Sequence, residues 1–231
     1  LFDMDEYERA SDHYLWVAEK APNSAYFDKS VLNAILSLEK KLPTSEEVKK
    51  IVGGTTSPVE FDSTIKKFEK VVLRFLKDFP KGSDAIAIKY RLGALYYYYN
   101  QFDRALLSFQ DIIKTAPSTK FAEYSANLTL DIYNLKNDYE GLEKAGQEIL
   151  SIPQLAASPV GAQVQSILEK SSFKRAQNME AGKDFLSSAK QFESFSNKNG
   201  RSELATSARF NSAVNYERAG GLLKALAMYG S

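Results

Sequence analysis

Between Ala85 and Pro117 the apolar and polar positions fall into two consecutive helical registers. The first, from Ala85 to Tyr99, carries Leu92, Gly93 and Tyr96 on one face. The second, from Phe102 to about Thr115, carries Ala105 and Phe109. Gly93 and Ala105 are small where two antiparallel helices cross closely, and Tyr96 and Phe109 fill the space beside them. Pro117 stops the second helix and starts the next. Ser83-Asp84 caps the first helix, Phe102-Asp103 opens the second, Ser118-Thr119 opens the one after, and Asn23-Ser24 caps a helix running to about Lys41. No alternating period-two segment is long enough to predict a strand. The expected fold class is all-α.

The same pattern recurs along the chain. Adding 120 to Gly93, Tyr96, Ala105 and Phe109 gives Ala213, Tyr216, Ala225 and Tyr229. Adding 83 gives Ala176, Met179, Ser188 and Phe192. Adding 37 gives a degenerate copy with Tyr133, Leu142 and Gly146, and subtracting 37 gives one with Phe68 at the crossing. The second-helix anchors are Ala10, Phe68, Ala105, Leu142, Ser188 and Ala225, spaced by 58, 37, 37, 46 and 37 residues. Two steps exceed 37 by 21 and by 9, which predicts two insertions. The first spans about 43–60 and holds Gly53-Gly54-Thr55-Thr56-Ser57-Pro58, which break the helical pattern. The second spans about 151–161 with Pro153 and Pro159, ahead of a helix near 162–170. Such insertions are either spacers or binding loops.

Leu92-Gly93-x-x-Tyr96, then Ala105-x-x-x-Phe109, then Pro117 resembles the tetratricopeptide signature, with Lys89 where that pattern has its first aromatic residue. The resemblance implies a right-handed α-solenoid of tetratricopeptide-like helix pairs, one array over 1–231. The chain opens inside a second helix (Tyr7, Ala10, Tyr14) and stops inside another (Ala225, Tyr229), so it is expected to be a piece of a longer array.

Composition narrows the chemistry. The chain has 231 residues, 44% of them apolar, enough for about six stacked pairs, and no apolar run reaches membrane-spanning length. Lys plus Arg is 30 and Asp plus Glu is 29, a balance that gives no electrostatic case for nucleic acid or an anionic membrane. Without cysteine there is no disulfide framework and no thiolate nucleophile. His13 is the single histidine, so neither a His–Cys nor a His–His pair can form. No phosphate-binding glycine loop and no nucleophile elbow is present. The carboxylates Asp3, Asp5, Glu6 and Glu8, and Glu46 with Glu47, lie at helix starts, where they complement the helix dipole. The expectation is a non-enzyme without cofactor or metal.

What remains is recognition by a surface. In the family that this sequence resembles, the first helix of each pair lines an inner groove. By position, that implies partner-binding residues Tyr90, Ala94 and Tyr97, then Tyr124, Asn127, Asp131 and Asn134, then Phe173 and Gln177, then Phe210. The expected partners are other proteins or extended peptides. Asn127 alone falls short of the multi-repeat carboxylate clamp. Tyr96 to Tyr99 cannot share one helical face, since successive residues point about 100° apart. They either pack against a neighbouring pair or offer an aromatic anchor for a peptide.

Phe75-Leu76-Lys77-Asp78-Phe79-Pro80-Lys81-Gly82-Ser83-Asp84-Ala85 is similar to a turn of bacterial cell-envelope repeat proteins. That group includes the outer-membrane assembly lipoprotein, the Tol–Pal-associated coordinator of cell division and gliding-motility repeat proteins. The resemblance implies a periplasmic or outer-membrane-associated scaffold, with a cytoplasmic location as the alternative. A regulatory or sensory domain of a longer protein with enzymatic or transport activity is the second expectation. A carbohydrate binder using stacked tyrosines is a third.

Overall fold

The computed structural model describes residues 6–230; Asp3 and Asp5, two of the expected helix-start carboxylates, lie outside them. Among the described residues there are thirteen helices and no strand. They are α1 (Tyr7–Lys20), α2 (Phe27–Glu39), α3 (Ser45–Val52), α4 (Ser63–Asp78), α5 (Ala85–Tyr98), α6 (Phe102–Thr115) and α7 (Lys120–Leu135). There follow α8 (Tyr139–Leu150), α9 (Pro153–Ala156), α10 (Pro159–Ala181), α11 (Phe185–Lys198), α12 (Ala205–Arg218) and α13 (Leu222–Tyr229). The chain divides into two compact units, Leu1–Ile132 and Tyr133–Ser231. Within each unit, helices pack on their neighbours in sequence: α1 on α2, α2 on α4, α4 on α5, α5 on α6, and α8 on α10, α10 on α11, α11 on α12, α12 on α13. None of the described helices is long and apolar enough to cross a membrane.

The repeat is written into the backbone. Four turns join helices through a left-handed residue: Asn100 (φ 57°), Asn137 (φ 53°), Lys183 (φ 64°) and Gly220 (φ 81°). In each, the next amide donates back across the turn, Gln101 to the Tyr96 carbonyl (2.8 Å), Asp138 to Tyr133 (2.9 Å), Asp184 to Met179 (2.9 Å) and Gly221 to Tyr216 (2.8 Å). This is the bond that satisfies orphan carbonyls at a helix C-terminus and reverses the chain in a few residues, so that α5 and α6, α10 and α11, and α12 and α13 pack as antiparallel pairs. The left-handed residues are spaced by 37, 46 and 37, the steps of the anchors in the same stretch.

A second loop type recurs in register. Ala21, Phe79, Ala116 and Asn199 each donate to the carbonyl four residues back, at 2.8 to 3.0 Å. Three and six residues further on, two more amides close successive tight turns, as in Gly82 to Phe79 (3.1 Å) and Ala85 to Gly82 (3.0 Å). Pro22, Pro80 and Pro117 follow three of these residues and prevent the helix from continuing.

All six anchors are buried: Ala10, Phe68, Ala105, Leu142, Ser188 and Ala225. Phe109 and Phe192 are fully enclosed second-helix residues, each worth about 1.5–3 kcal/mol of burial. At the α5–α6 crossing, a Cβ on Gly93 would stand 2.9 Å from the Phe109 ring, so the glycine sets how closely these helices approach.

Both insertions hold helix. The first contains α3, whose start is fixed by a reciprocal cap: the Thr44 hydroxyl accepts from the Glu47 amide (3.4 Å) and the Glu47 carboxylate accepts from the Thr44 amide (2.8 Å). The Thr44 amide, and then the Thr44 hydroxyl, which also donates to that carboxylate (2.8 Å), hold the Glu47 carboxyl below its usual pKa. The glycine-rich breakers act only after it, at Gly53 (φ 61°) and Gly54 (φ 77°). The second contains α9 and the early turns of α10, which runs unbroken to Ala181 where a short helix near 162–170 was expected. Nothing between Lys170 and Phe173 is a glycine or proline, so the two segments fuse. The expected caps are mixed. Asp84 stands at the start of α5 without a side-chain cap bond, and α2 starts at Phe27 behind Tyr26 rather than at Ser24. Thr119 does accept from the Ala122 amide, at 3.3 Å.

Candidate partner-binding surface

The four consecutive tyrosines at the end of α5 go to four environments. Tyr96 is buried, and its hydroxyl donates to Glu69 on α4 (2.6 Å) while Arg104 of α6 lies over its ring at 4.1 Å. Arg104 also pairs with Glu69 and donates to the Tyr96 oxygen at 2.9 Å. Burial, and then the Glu69 bond, push the Tyr96 phenol well above its usual pKa. Tyr97 is half-buried and donates to the Asp131 carboxylate on α7. Burial and that bond raise its pKa as well. Tyr98 is 51% exposed, with its ring edge-on to Tyr97 at 5.4 Å. Tyr99 is buried edge-on to Phe61 at 5.0 Å.

Phe61 directly follows the first insertion, whose last residues form a strap over the α5–α6 turn. The Val59 amide donates to the Tyr99 carbonyl (2.9 Å). The Asn100 side-chain amide donates to the carbonyls of Thr55 (2.6 Å) and Ser57 (3.2 Å), and that of Gln101 to Val59 (2.9 Å). Phe61 stacks on Tyr96 at 5.7 Å. The turn residues thus hold the strap in place as well as reversing the chain.

In the first unit, the structure brings Tyr90 against Tyr124 and Tyr97 against Asp131. Tyr90 packs on Phe109 (6.1 Å), Phe121 (5.4 Å) and Tyr124 (5.8 Å), which joins α5, α6 and α7 through aromatic rings. Burial, followed by the nearby phenols of Tyr98 and Tyr124, raises the Tyr90 pKa. Ala94 is half-buried one turn on from Tyr90, and Asn127 is half-buried on α7. Two members of this aromatic face stood outside the groove positions expected from the repeat: Tyr98, weighed only among the four tyrosines, and Phe121, which was missed. Tyr98 lies eight residues after Tyr90, two helical turns along the same face, and Phe121 lies three before Tyr124.

In the second unit, Asn134, Phe173 and Gln177 line one recess of about 480 Å³, with Leu142, Lys170 and Leu204. Phe173 is largely committed to packing, edge-on to Phe192 (5.1 Å) and Phe195 (5.7 Å). Phe210 is 59% exposed and meets Tyr229 at 6.0 Å. One repeat position therefore serves the same purpose three times. Tyr90 rests on Phe109, Phe173 on Phe192 and Phe210 on Tyr229, each a first-helix ring against its own second-helix ring. In the copy with Asn127 and Gly146 no such pair exists; a Cβ on Gly146 would stand 2.6 Å from Leu168, whose side chain fills the space.

Among the described residues, no group of three or more His, Asp or Glu side chains could hold a metal ion. His13 is exposed on α1.

No family model matches this chain, and no curated protein matches it significantly. Among solved structures, the crystal structure of BtubC (BKLC) from P. vanneervenii is similar over 96% of this chain and 88% of that one, at 15% identity and a TM-score of 0.37. That degree of similarity carries no argument about function.

Proposed function

We propose that this protein is a non-catalytic scaffold that holds other proteins through the faces of tetratricopeptide-like helix pairs, in a bacterial envelope complex. The observation that carries the proposal is the tyrosine face on α5 and α7, with Tyr98 and Tyr124 about half exposed beside rings that are packed from behind. Aromatic residues with polar tips, fixed in place and open to solvent, are the usual anchors of protein interfaces. The recurrence of two loop types in register with the sequence anchors supports a repeat array, whose faces characteristically bind proteins. The envelope assignment rests on the resemblance of the stretch from Ile65 to Pro117 to envelope repeat proteins.

The test is affinity capture from fractionated cells, soluble extract and detergent-solubilised envelope side by side, with the protein as bait. Specific recovery of envelope proteins supports the proposal. Recovery of cytosolic partners alone removes the envelope assignment, and recovery of none removes the scaffold reading.

A further inference from the structure

The second unit holds a recess of another kind, about 290 Å³, walled by α8, α10 and α11. Leu168, which fills the space at Gly146, forms part of its wall with Leu150 and the buried Phe195. The rest of the wall is polar. Gln147 stands on α8, Gln165 on α10, Gln191 on α11 and Asn199 just past the end of α11. Each of these amides gives one N–H to the protein: Gln147 to Glu143 (3.3 Å), Gln165 to Glu169 (3.3 Å), Gln191 to the Ser172 hydroxyl (3.1 Å) and Asn199 to the Phe195 carbonyl (3.2 Å). None of the four side-chain carbonyls accepts a hydrogen bond from another described residue. The Gln191–Ser172 bond and the Arg175–Glu143 ion pair (3.7 Å) brace the three helices, so the recess is formed before a ligand arrives.

Charge narrows the ligand. Glu143 and Glu169 are matched in the wall by Arg175 and Lys198, two carboxylates against two cations. An anion would lie against both carboxylates and a cation against both basic groups. An apolar ligand would strip water from four amides and replace none of its bonds. A neutral ligand rich in hydroxyls meets these demands. A hydroxyl donates to an amide carbonyl and accepts from an amide N–H, and the C–H face of a sugar ring covers Leu168 and Phe195. An extended peptide asks for amides in line along one groove, whereas these converge from three helices. We propose that this recess binds a neutral sugar. Gln165, Glu169, Lys198 and Asn199 also line a second hollow of about 450 Å³ that runs on to Arg201 and Ser202, which gives room for a further ring. The site uses none of the α5 tyrosines and stands independently of the scaffold function.

The test is calorimetric titration of the whole chain with maltose, cellobiose and N,N′-diacetylchitobiose, with acetyl-triglycine amide and inorganic phosphate as controls. At least one disaccharide is expected to bind with a Kd in the millimolar range or below, and neither control. Gln147→Ala and Gln165→Ala, both at exposed positions, should each weaken that sugar about fivefold with unchanged thermal unfolding, and Tyr98→Ala should leave it unchanged. Co-sedimentation with insoluble starch, cellulose or chitin, competed by the matching disaccharide, assigns a polysaccharide as the source of the ring; disaccharide binding without it assigns a free sugar. Binding of no disaccharide, or binding indifferent to both glutamine variants, overturns the proposal. Glutamine-dependent binding of the triglycine amide or of phosphate in place of sugar overturns it as well. Capture of envelope proteins by the same bait tests the scaffold function separately, since it needs no sugar.

Discussion

The pair α5–α6 and the pair α12–α13 stand 120 residues apart and repeat one design with different cover. Both centre on a tyrosine held between a carboxylate of the preceding helix and a cation eight residues on. Tyr96 has Glu69 and Arg104; Tyr216 donates to Glu193 at 2.5 Å and lies beneath Lys224 at 5.0 Å. Both turn through a left-handed residue with the same back-bond. Yet Phe102 and Leu106 on α6 are buried, while the corresponding Leu222 and Leu226 on α13 are 61% and 67% exposed. Phe109 is fully buried and Tyr229 is 48% exposed. The difference separates what a pair makes for itself from what its neighbours supply. The turn, the crossing and the bracketed tyrosine come from the pair's own sequence; the burial of the outer second-helix residues comes from helices packed against it.

The sharpest attack on that comparison is to truncate both second-helix rings. Phe109→Ala is expected to cost about 3–5 kcal/mol of unfolding free energy and Tyr229→Ala under about 1 kcal/mol, read by urea denaturation. Equal losses would mean that cover does not distinguish the two pairs. Next comes the crossing. Gly93→Ala places a methyl 2.9 Å from the Phe109 ring and should destabilise by about 1–3 kcal/mol, although alanine is native at the matching Ala213. A neutral result would show that the α5–α6 approach can relax as the α12–α13 one has.

The tyrosine brackets give a dependence on pH. Burial and the Glu193 bond raise the Tyr216 pKa to about 12, against an ordinary 10. A group whose folded pKa is raised holds its proton more tightly when folded. Its stabilising contribution is complete below pH 10 and is lost as pH rises through about 12. Denaturation midpoints should therefore fall between those limits, and Tyr216→Phe should flatten the fall in part, leaving the share due to Tyr96 and Tyr97. A slope unchanged by the substitution would assign the alkaline loss elsewhere. The smallest expected effect lies in the turns. Lys183 holds φ 64°, which costs a side-chain-bearing residue about 1 kcal/mol that glycine avoids. Lys183→Gly should raise the melting temperature by a few degrees, while Gly220→Ala at the matching turn should lower it.

Much of this design was legible beforehand because it is local. The anchors from Ala10 to Ala225 need only small or apolar residues at fixed steps, and all are buried. The steps of 37, 46 and 37 reappear as left-handed turn residues. The strap over Tyr99 was not legible: its partners are 42 to 45 residues apart, and polar backbone bonds leave no periodic trace. Inside the first insertion Glu46 and Glu47 marked a helix start, but the glycines after Val52 hid how far that helix runs, and the reciprocal cap between Thr44 and Glu47 went unread. On the surface, position in the repeat singled out Tyr90, Tyr97 and Tyr124 as candidates. It could not say that the ring position of Tyr90, Phe173 and Phe210 is half structural, because that depends on the second-helix ring across from it.

The strap also has a consequence for how the first unit folds. The α5–α6 hairpin closes through contacts between residues close in sequence, the kind that form fastest. Asn100 and Gln101 can grip Thr55, Ser57 and Val59 only after that turn exists, and must close a loop of more than forty residues to do so. By contact distance the hairpin is expected to form before the strap, leaving Tyr99 uncovered until the strap arrives.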